Sequence, residues 1–308
     1  MDTGRKRTVA FKKDSWLVRG VLIAAVAAFV AVPVLFGLNG RASNGDRAAS
    51  SAAQPSVDET TQLQGEIEGY TAVLSREPDN QTALSGIIYA KSRLGDLEGT
   101  VEPLERLVEL NPNEPRYAVL LAQTKQQLND LEGAAQTYRG VLTQTPGNIP
   151  ALEGLVSLLL SQGRTEGAVG LLKDTLNTAD QNNEIAPGSI DKLSVKLLLG
   201  QVYVEEENYD QALGIYDEAI ADAQVASPTQ PDFRPTLAKG LVLKEQGQDS
   251  EAQALFDQAI ALAPTQYKDG VRDLISERNT PTESVEGTVE ESPAVEESPA
   301  EVPVAPAP

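Results

Sequence analysis

The sequence predicts an all-α fold, a solenoid of stacked helix pairs preceded by a single N-terminal transmembrane helix. Three observations carry this reading. Prolines recur at Glu77-Pro78, Asn111-Pro112 and Thr145-Pro146 with a fixed spacing of 34 residues, a period typical of solenoid repeats. Residues 20–38 form an apolar run of 19 residues without a charge, directly behind a basic flank. The composition suits helices better than sheets, because aromatic residues make up only 5% of the 308 residues and Leu, Ala and Val supply most of the apolar content.

The elements follow in chain order. Residues 1–19 carry Arg5, Lys6, Arg7, Lys12, Lys13 and Arg19 against Asp2 and Asp14, a basic patch on a chain whose net charge is −20. The run from Gly20 to Leu38 reads GVLIAAVAAFVAVPVLFGL. At ~1.5 Å per residue it reaches about 28 Å, close to the thickness of a hydrocarbon core. Trp16 stands where an indole prefers the membrane interface, and Pro33 lies near the far end, where a kink is tolerated. The run exceeds the apolar core of a signal peptide, and Leu38-Asn39-Gly40-Arg41-Ala42 is a poor cleavage context, so a retained anchor is favoured over a cleaved leader. The excess of Lys and Arg before the run keeps the N-terminus cytoplasmic and sends the rest to the extracytoplasmic side, periplasmic or lumenal. Residues 39–57, rich in Gly, Ser, Ala and Asn, read as a flexible linker.

The solenoid is expected over residues 58–278. Alignment on the prolines gives units 81–114, 115–148, 149–182, 193–226 and 233–266, with a leading half-repeat before them and a capping helix after them. Each unit holds two amphipathic helices joined by a turn. The turns read Leu94-Gly95-Asp96, Leu128-Asn129-Asp130, Gln162-Gly163-Arg164, Glu207-Asn208-Tyr209 and Gln246-Gly247-Gln248, where Gly and Asn are expected to supply the positive φ that ends the first helix. Small residues recur at Ala122, Gly200 and Gly240 in first helices and at Ala134, Ala168, Ala212 and Ala252 in second helices. Tyr138, Leu172, Tyr216 and Phe256 follow the second set by one turn, so small and large side chains alternate along the packed seam. The leading helix carries Leu63, Ile67, Tyr70, Val73 and Leu74, and the capping helix Tyr267, Val271, Leu274 and Ile275.

This pattern resembles the tetratricopeptide repeat family. The fourth unit carries the resemblance best, with Gly200, Tyr203, Tyr209, Ala212, Tyr216 and Ala219 at the family's spacing, followed by the fifth with Gly240, Gly247, Ala252, Phe256, Ala259 and Pro264. The first unit departs most, having Ile88 at a usually small position, Lys91 for an aromatic and Thr100 for alanine. The resemblance implies a right-handed superhelix whose concave face is lined by first helices. In the family's register the lining residues include Ser85, Tyr89 and Arg93; Arg116, Val119, Gln123, Gln126 and Gln127; Glu153, Ser157 and Ser161; then Leu197, Gln201, Val204, Leu237, Leu241 and Lys244. Tyr89, Arg93, Arg116, Gln123 and Gln127 are the candidate partner-binding residues, with the two arginines expected to form a local positive spot on a negative protein. The family's grip on C-terminal carboxylates is not implied, since Ser85 and Tyr89 stand at two positions of that clamp.

From residue 279 the helical pattern is lost. The tail TPTESVEGTVEESPAVEESPAEVPVAPAP has no basic residue and cannot bury enough apolar surface to order itself, so a disordered acidic segment is expected. With no cysteine and no histidine, disulfides, thiol nucleophiles and His-dependent catalysis are excluded. A chain this acidic repels nucleic-acid backbones. No phosphate loop or EF-hand spacing occurs, and the run Glu205-Glu206-Glu207 reads as a solvated helix end. No catalytic site, cofactor or metal is therefore expected. The function expected is a membrane-tethered scaffold or assembly factor that binds a protein or peptide in its concave groove. The alternative is a secreted soluble binding module or an accessory subunit of a cell-envelope enzyme.

Overall fold

The computed structural model describes residues 56–279. The expected basic N-terminus, transmembrane run, most of the linker and the acidic tail lie outside the described residues. Within them the chain forms an all-helical solenoid of the tetratricopeptide type, and no helix there is long and apolar enough to cross a membrane.

Twelve α-helices run along the described chain: α1 (Val57–Leu74), α2 (Gln81–Arg93), α3 (Val101–Leu110), α4 (Pro115–Gln127), α5 (Leu131–Gln144), α6 (Ile149–Ser161), α7 (Thr165–Ile185), α8 (Lys192–Glu205), α9 (Tyr209–Ala226), α10 (Arg234–Glu245), α11 (Asp249–Leu262) and α12 (Thr265–Asn279). A short 3-10 turn, Glu98–Thr100, leads into α3. Several starts carry side-chain caps. Asn80 accepts from Ala83 N, Asp130 from Gly133 N and Asn148 from Ala151 N, each at 3.0 Å, which satisfies an orphan donor of the first turn. Helices α3 and α5 stop at Leu110 and Gln144, and the residues before proline, Asn111 and Thr145, leave helical geometry as proline demands. No proline stands one period after Pro146, so α7 runs on to Ile185 and breaks only before Pro187. The extra residues of that unit thus lengthen a helix. The loop after it folds back, with Asn183 Nδ2 donating to Ile190 O and Asn183 Oδ1 accepting from Ile190 N, which seats Ile190 against Gly147.

The turns between paired helices share one geometry. Gly95, Asn129, Gly163 and Gly247 have positive φ, as expected. In the fourth unit the position differs from the expectation by one residue. Glu207 takes φ 59°, whereas Asn208 (φ −87°) is the residue before α9. The hydrogen bonds explain the shift. Glu207 N donates to Val204 O (3.0 Å) and Asn208 N to Tyr203 O (2.8 Å), the same pair that Gly95 and Asp96 make to Ser92 and Lys91. The helix closure selects the position, and a glutamate occupies it despite its Cβ.

The core lies between first and second helices. Ala134, Ala168, Ala212 and Ala252 are fully buried, as are Tyr138, Leu172, Tyr216 and Phe256. The aromatic rings lie on glycines. Tyr216 covers Gly200 and Phe256 covers Gly240 within their own units, while Tyr70 covers Gly86 and Tyr138 covers Gly154 of the following unit. Where the usual small position holds Ile88 or Val156, the glycine stands two residues earlier and takes the ring of the preceding unit. Volume is conserved along the seam, which is how a close-packed core tolerates the departures of the first unit. At the C-terminal end α12 buries Val271 and Ile275, and the rings of Tyr267 and Phe233 stack with centroids 6.2 Å apart.

Candidate partner-binding groove

The first helices α4, α6, α8 and α10 lie side by side and form one wall of the solenoid. Their surface is not uniform along its length. On α2, α4 and α6 the expected lining residues other than Val119, which is buried, reach the surface: Tyr89 is 47% exposed, Gln127, Ser157 and Ser161 are exposed, and Ser85, Gln123 and Gln126 are half-buried. On α8 and α10 the expectation fails. Leu197, Val204, Leu237 and Leu241 are buried, Gln201 is only 8% exposed, and Lys244 alone of that set reaches water. The cause is that α8 is apolar nearly all round (KLSVKLLLGQVYVE), and such a helix is stable only when every face is covered. Helices α6, α7, α9 and α10 cover it, and Arg234 of α10 reaches Ser194 Oγ at 3.4 Å. The groove is therefore open over the first three units and closed over the last two.

The expected positive spot is not present. Arg93 pairs with Glu59 of α1, which holds its guanidinium above the ordinary arginine value. Arg116 lies 3.7 Å from Glu114, sits 4.8 Å over the Tyr117 ring and donates to the Tyr117 hydroxyl at 3.1 Å. Both pairs are exposed, so they add little stability, but each cation already has an acidic neighbour. Tyr89 and Arg93 share α2, and Arg116, Gln123 and Gln127 share α4, with Arg116 on its first turn and Gln127 at its end.

One residue of the expected lining that was not among the candidate partner-binding residues stands where the open part meets the closed part. Glu153, on α6, is half-buried, and burial pushes its carboxyl from 4.5 up to about 7. Among the described residues it has no ion pair or hydrogen bond. The flanking first-helix residues in its register, Val119 on α4 and Leu197 on α8, are apolar and buried. The sequence signal was available, a lone acid in the apolar helix IPALEGLVSLLLS, but its burial depends on the neighbouring helices. No group of three or more His, Cys, Asp or Glu side chains among the described residues is arranged to hold a metal ion.

The family model for the tetratricopeptide repeat matches residues 126–187, and a second model for the same repeat matches 197–267. These residues are tetratricopeptide repeats. Such a fold is a protein–protein interaction module. The chain is 29% identical over 212 residues to cellulose synthase operon protein C of Pseudomonas fluorescens (strain SBW25), an alignment covering 65% of this chain and 16% of that protein. It is 24% identical over 203 residues to protein SLOW GREEN 1, chloroplastic, of Arabidopsis thaliana, covering 66% of this chain and 61% of that one. The chain thus spans only part of either relative. Among solved structures, a thermophilic tetratricopeptide-repeat protein of Thermus thermophilus superposes with a TM-score of 0.42 and 19% identity, covering 64% of this chain and 98% of that one.

Proposed function

We propose that this protein is a membrane-tethered scaffold or assembly factor that holds a segment of a partner protein over the open part of its concave groove, on α2, α4 and α6. The observation that supports this is the change along the groove. Its polar first half is accessible and ends at Glu153, a half-buried carboxylate without a counter-charge. An unpaired buried carboxyl is costly, and a Lys or Arg from a partner relieves that cost. The partner segment is accordingly basic, and Tyr89 supplies contact area at the entrance. Residues 20–38 tether the protein, with residues 1–19 in the cytoplasm and the repeats on the extracytoplasmic side. Neither a cofactor nor a metal takes part.

The test is a photo-crosslinker placed singly at Gln127, at Ser157 and, as an outward control on α11, at Gln253, in membranes of the native host. Gln127 and Ser157 should crosslink to the same chain and Gln253 should not. Crosslinking from Gln253 alone would remove the partner from the groove. Alkaline carbonate washing should leave the protein in the membrane pellet, and its release would end the tethering reading. The cellulose synthase operon relative favours a second reading, an accessory subunit of a cell-envelope enzyme. Recovery of a glycosyl-polymerising enzyme as the crosslinked chain would select it.

A further inference from the structure

On the outer side of the solenoid, between the second helices α5 and α7, lies a depression of about 450 Å³. Its floor is apolar, made by Leu142, Leu155, Leu159 and Leu171, and Arg139 and Arg164 stand on its two rims. Both arginines are exposed, and among the described residues neither makes an ion pair or a side-chain hydrogen bond. That is unusual in this chain, where most lysines and arginines of the solenoid sit beside a carboxylate.

The same depression recurs between α9 and α11, with about 460 Å³, and there the rim is closed. Counted from the turn residues, Asp217 takes the place of Arg139, Lys239 that of Leu155, Gln248 that of Arg164 and Glu251 that of Gly167. Lys239 and Asp217 pair across the second depression, so its one cation is satisfied within the fold. In the first, Leu155 replaces that lysine, Arg139 replaces Asp217 and Gly167 replaces Glu251. The two arginines are left over an apolar floor, and a Cβ at Gly167 would meet only Leu159, at 3.7 Å. The chain thus holds one copy of this surface whose single cation is paired within the fold and one whose two positive charges look outward.

We propose that the α5–α7 depression is a second docking surface, on the face opposite the concave groove, for an acidic segment of another protein that seats a leucine-sized side chain between Arg139 and Arg164. The arginines supply bidentate donors for flanking carboxylates, and the leucine floor takes the anchor. A net charge of −20 repels acidic chains in general, so the two exposed guanidiniums act as the orienting feature. The concave groove takes a basic segment and the outer one an acidic segment, which lets one tethered molecule hold two partners at once.

The probe is a fluorescein-labelled peptide, Glu-Glu-Leu-Leu-Glu-Glu, titrated onto the full chain in detergent and read by anisotropy. Binding should be saturable. It should weaken about tenfold or more in Arg139→Glu/Arg164→Glu, as loss of a partly desolvated charge pair does. It should weaken similarly in Gly167→Glu, which restores the acid of the second depression at an exposed helical site and needs no change in the core. Peptides with lysine for glutamate, or serine for leucine, should not saturate. Equal binding by wild type and both variants would place the peptide elsewhere, on the N-terminal lysines and arginines, and overturn the proposal. So would saturable binding of the serine peptide, which would mean charge association alone. Binding that appears only after residues 280–308 are removed would show that the chain's own acidic tail is the occupant, and that too overturns it. Crosslinking from Gln127 and Ser157 reads the concave groove independently, so either assignment fails without the other.

Discussion

Gly200 and Gly214 lie in the paired helices α8 and α9 of one unit, and substitution by alanine should move stability in opposite directions. Both are helix-interior glycines, so alanine gains about 0.5–1 kcal/mol of helix propensity at either. At Gly214 nothing lies within 4 Å of where a Cβ would stand, and the gain is kept. At Gly200 the Cβ would run into the Tyr216 ring, which is 1% exposed and has no free volume to move into. Overpacking of this kind costs about 1–3 kcal/mol, so the net effect is a loss of about 1–2 kcal/mol. At about 2–4 °C per kcal/mol for a chain of this size, Gly214→Ala should raise the melting temperature by a few degrees and Gly200→Ala should lower it by about 3–6 °C, read by far-ultraviolet circular dichroism. The double change Gly200→Ala/Tyr216→Leu imitates the pairs Val156 with Leu172 and Ile88 with Leu104. It should be less harmful than the sum of its parts by about 1–2 kcal/mol. A Gly200→Ala protein as stable as Gly214→Ala would mean that the ring does not lie on this glycine, and the volume-matching account of the seam would fail.

Two other outcomes follow from single positions and a third from a pair. Glu207→Gly should stabilise by about 0.5–1 kcal/mol in urea unfolding, since it removes a Cβ from a left-handed position. Glu153 sets a pH dependence. Its folded pKa, about 7, lies above the ordinary 4.5, so the native state holds the extra proton between these values and stability falls as pH rises through them. Glu153→Gln should therefore add about 1–2 kcal/mol at about pH 8 and little at about pH 4; an equal gain at both would show that the carboxyl is solvated. Tyr89→Ala/Arg116→Ala should weaken capture of the groove's partner by about 1–3 kcal/mol with helical content unchanged, and loss of helix would show that these residues are core.

The architecture is legible in the sequence because its causes are local. Three prolines 34 residues apart, glycines at turns and small–large pairs one turn apart report backbone geometry directly, and the helices follow those signals except where the missing fourth proline lets α7 run on to Ile185. The sequence misleads where several helices decide together. The left-handed residue of the fourth turn is Glu207 because the carbonyls of Tyr203 and Val204 need donors at fixed places, and a search for Asn or Gly is drawn to Asn208. Register alone puts Leu197, Gln201, Leu237 and Leu241 in the groove, although the apolar residues spread around most of α8 already require cover on nearly every side. The positive spot fails for a different reason: Glu59 is one full period before Arg93, and only stacking of α1 on α2 brings them together.

The central claim is that the groove is open over α2, α4 and α6 and closed over α8 and α10. The chain contains no cysteine, so single cysteines report each position without background. Cysteines at Gln123 and Ser157 should react with a maleimide at rates near that of an exposed control at Gln253, while cysteines at Gln201 and Leu241 should be protected until the protein unfolds. Equal labelling at all four groove positions would contradict the claim, and with it the placement of a partner on the first three units.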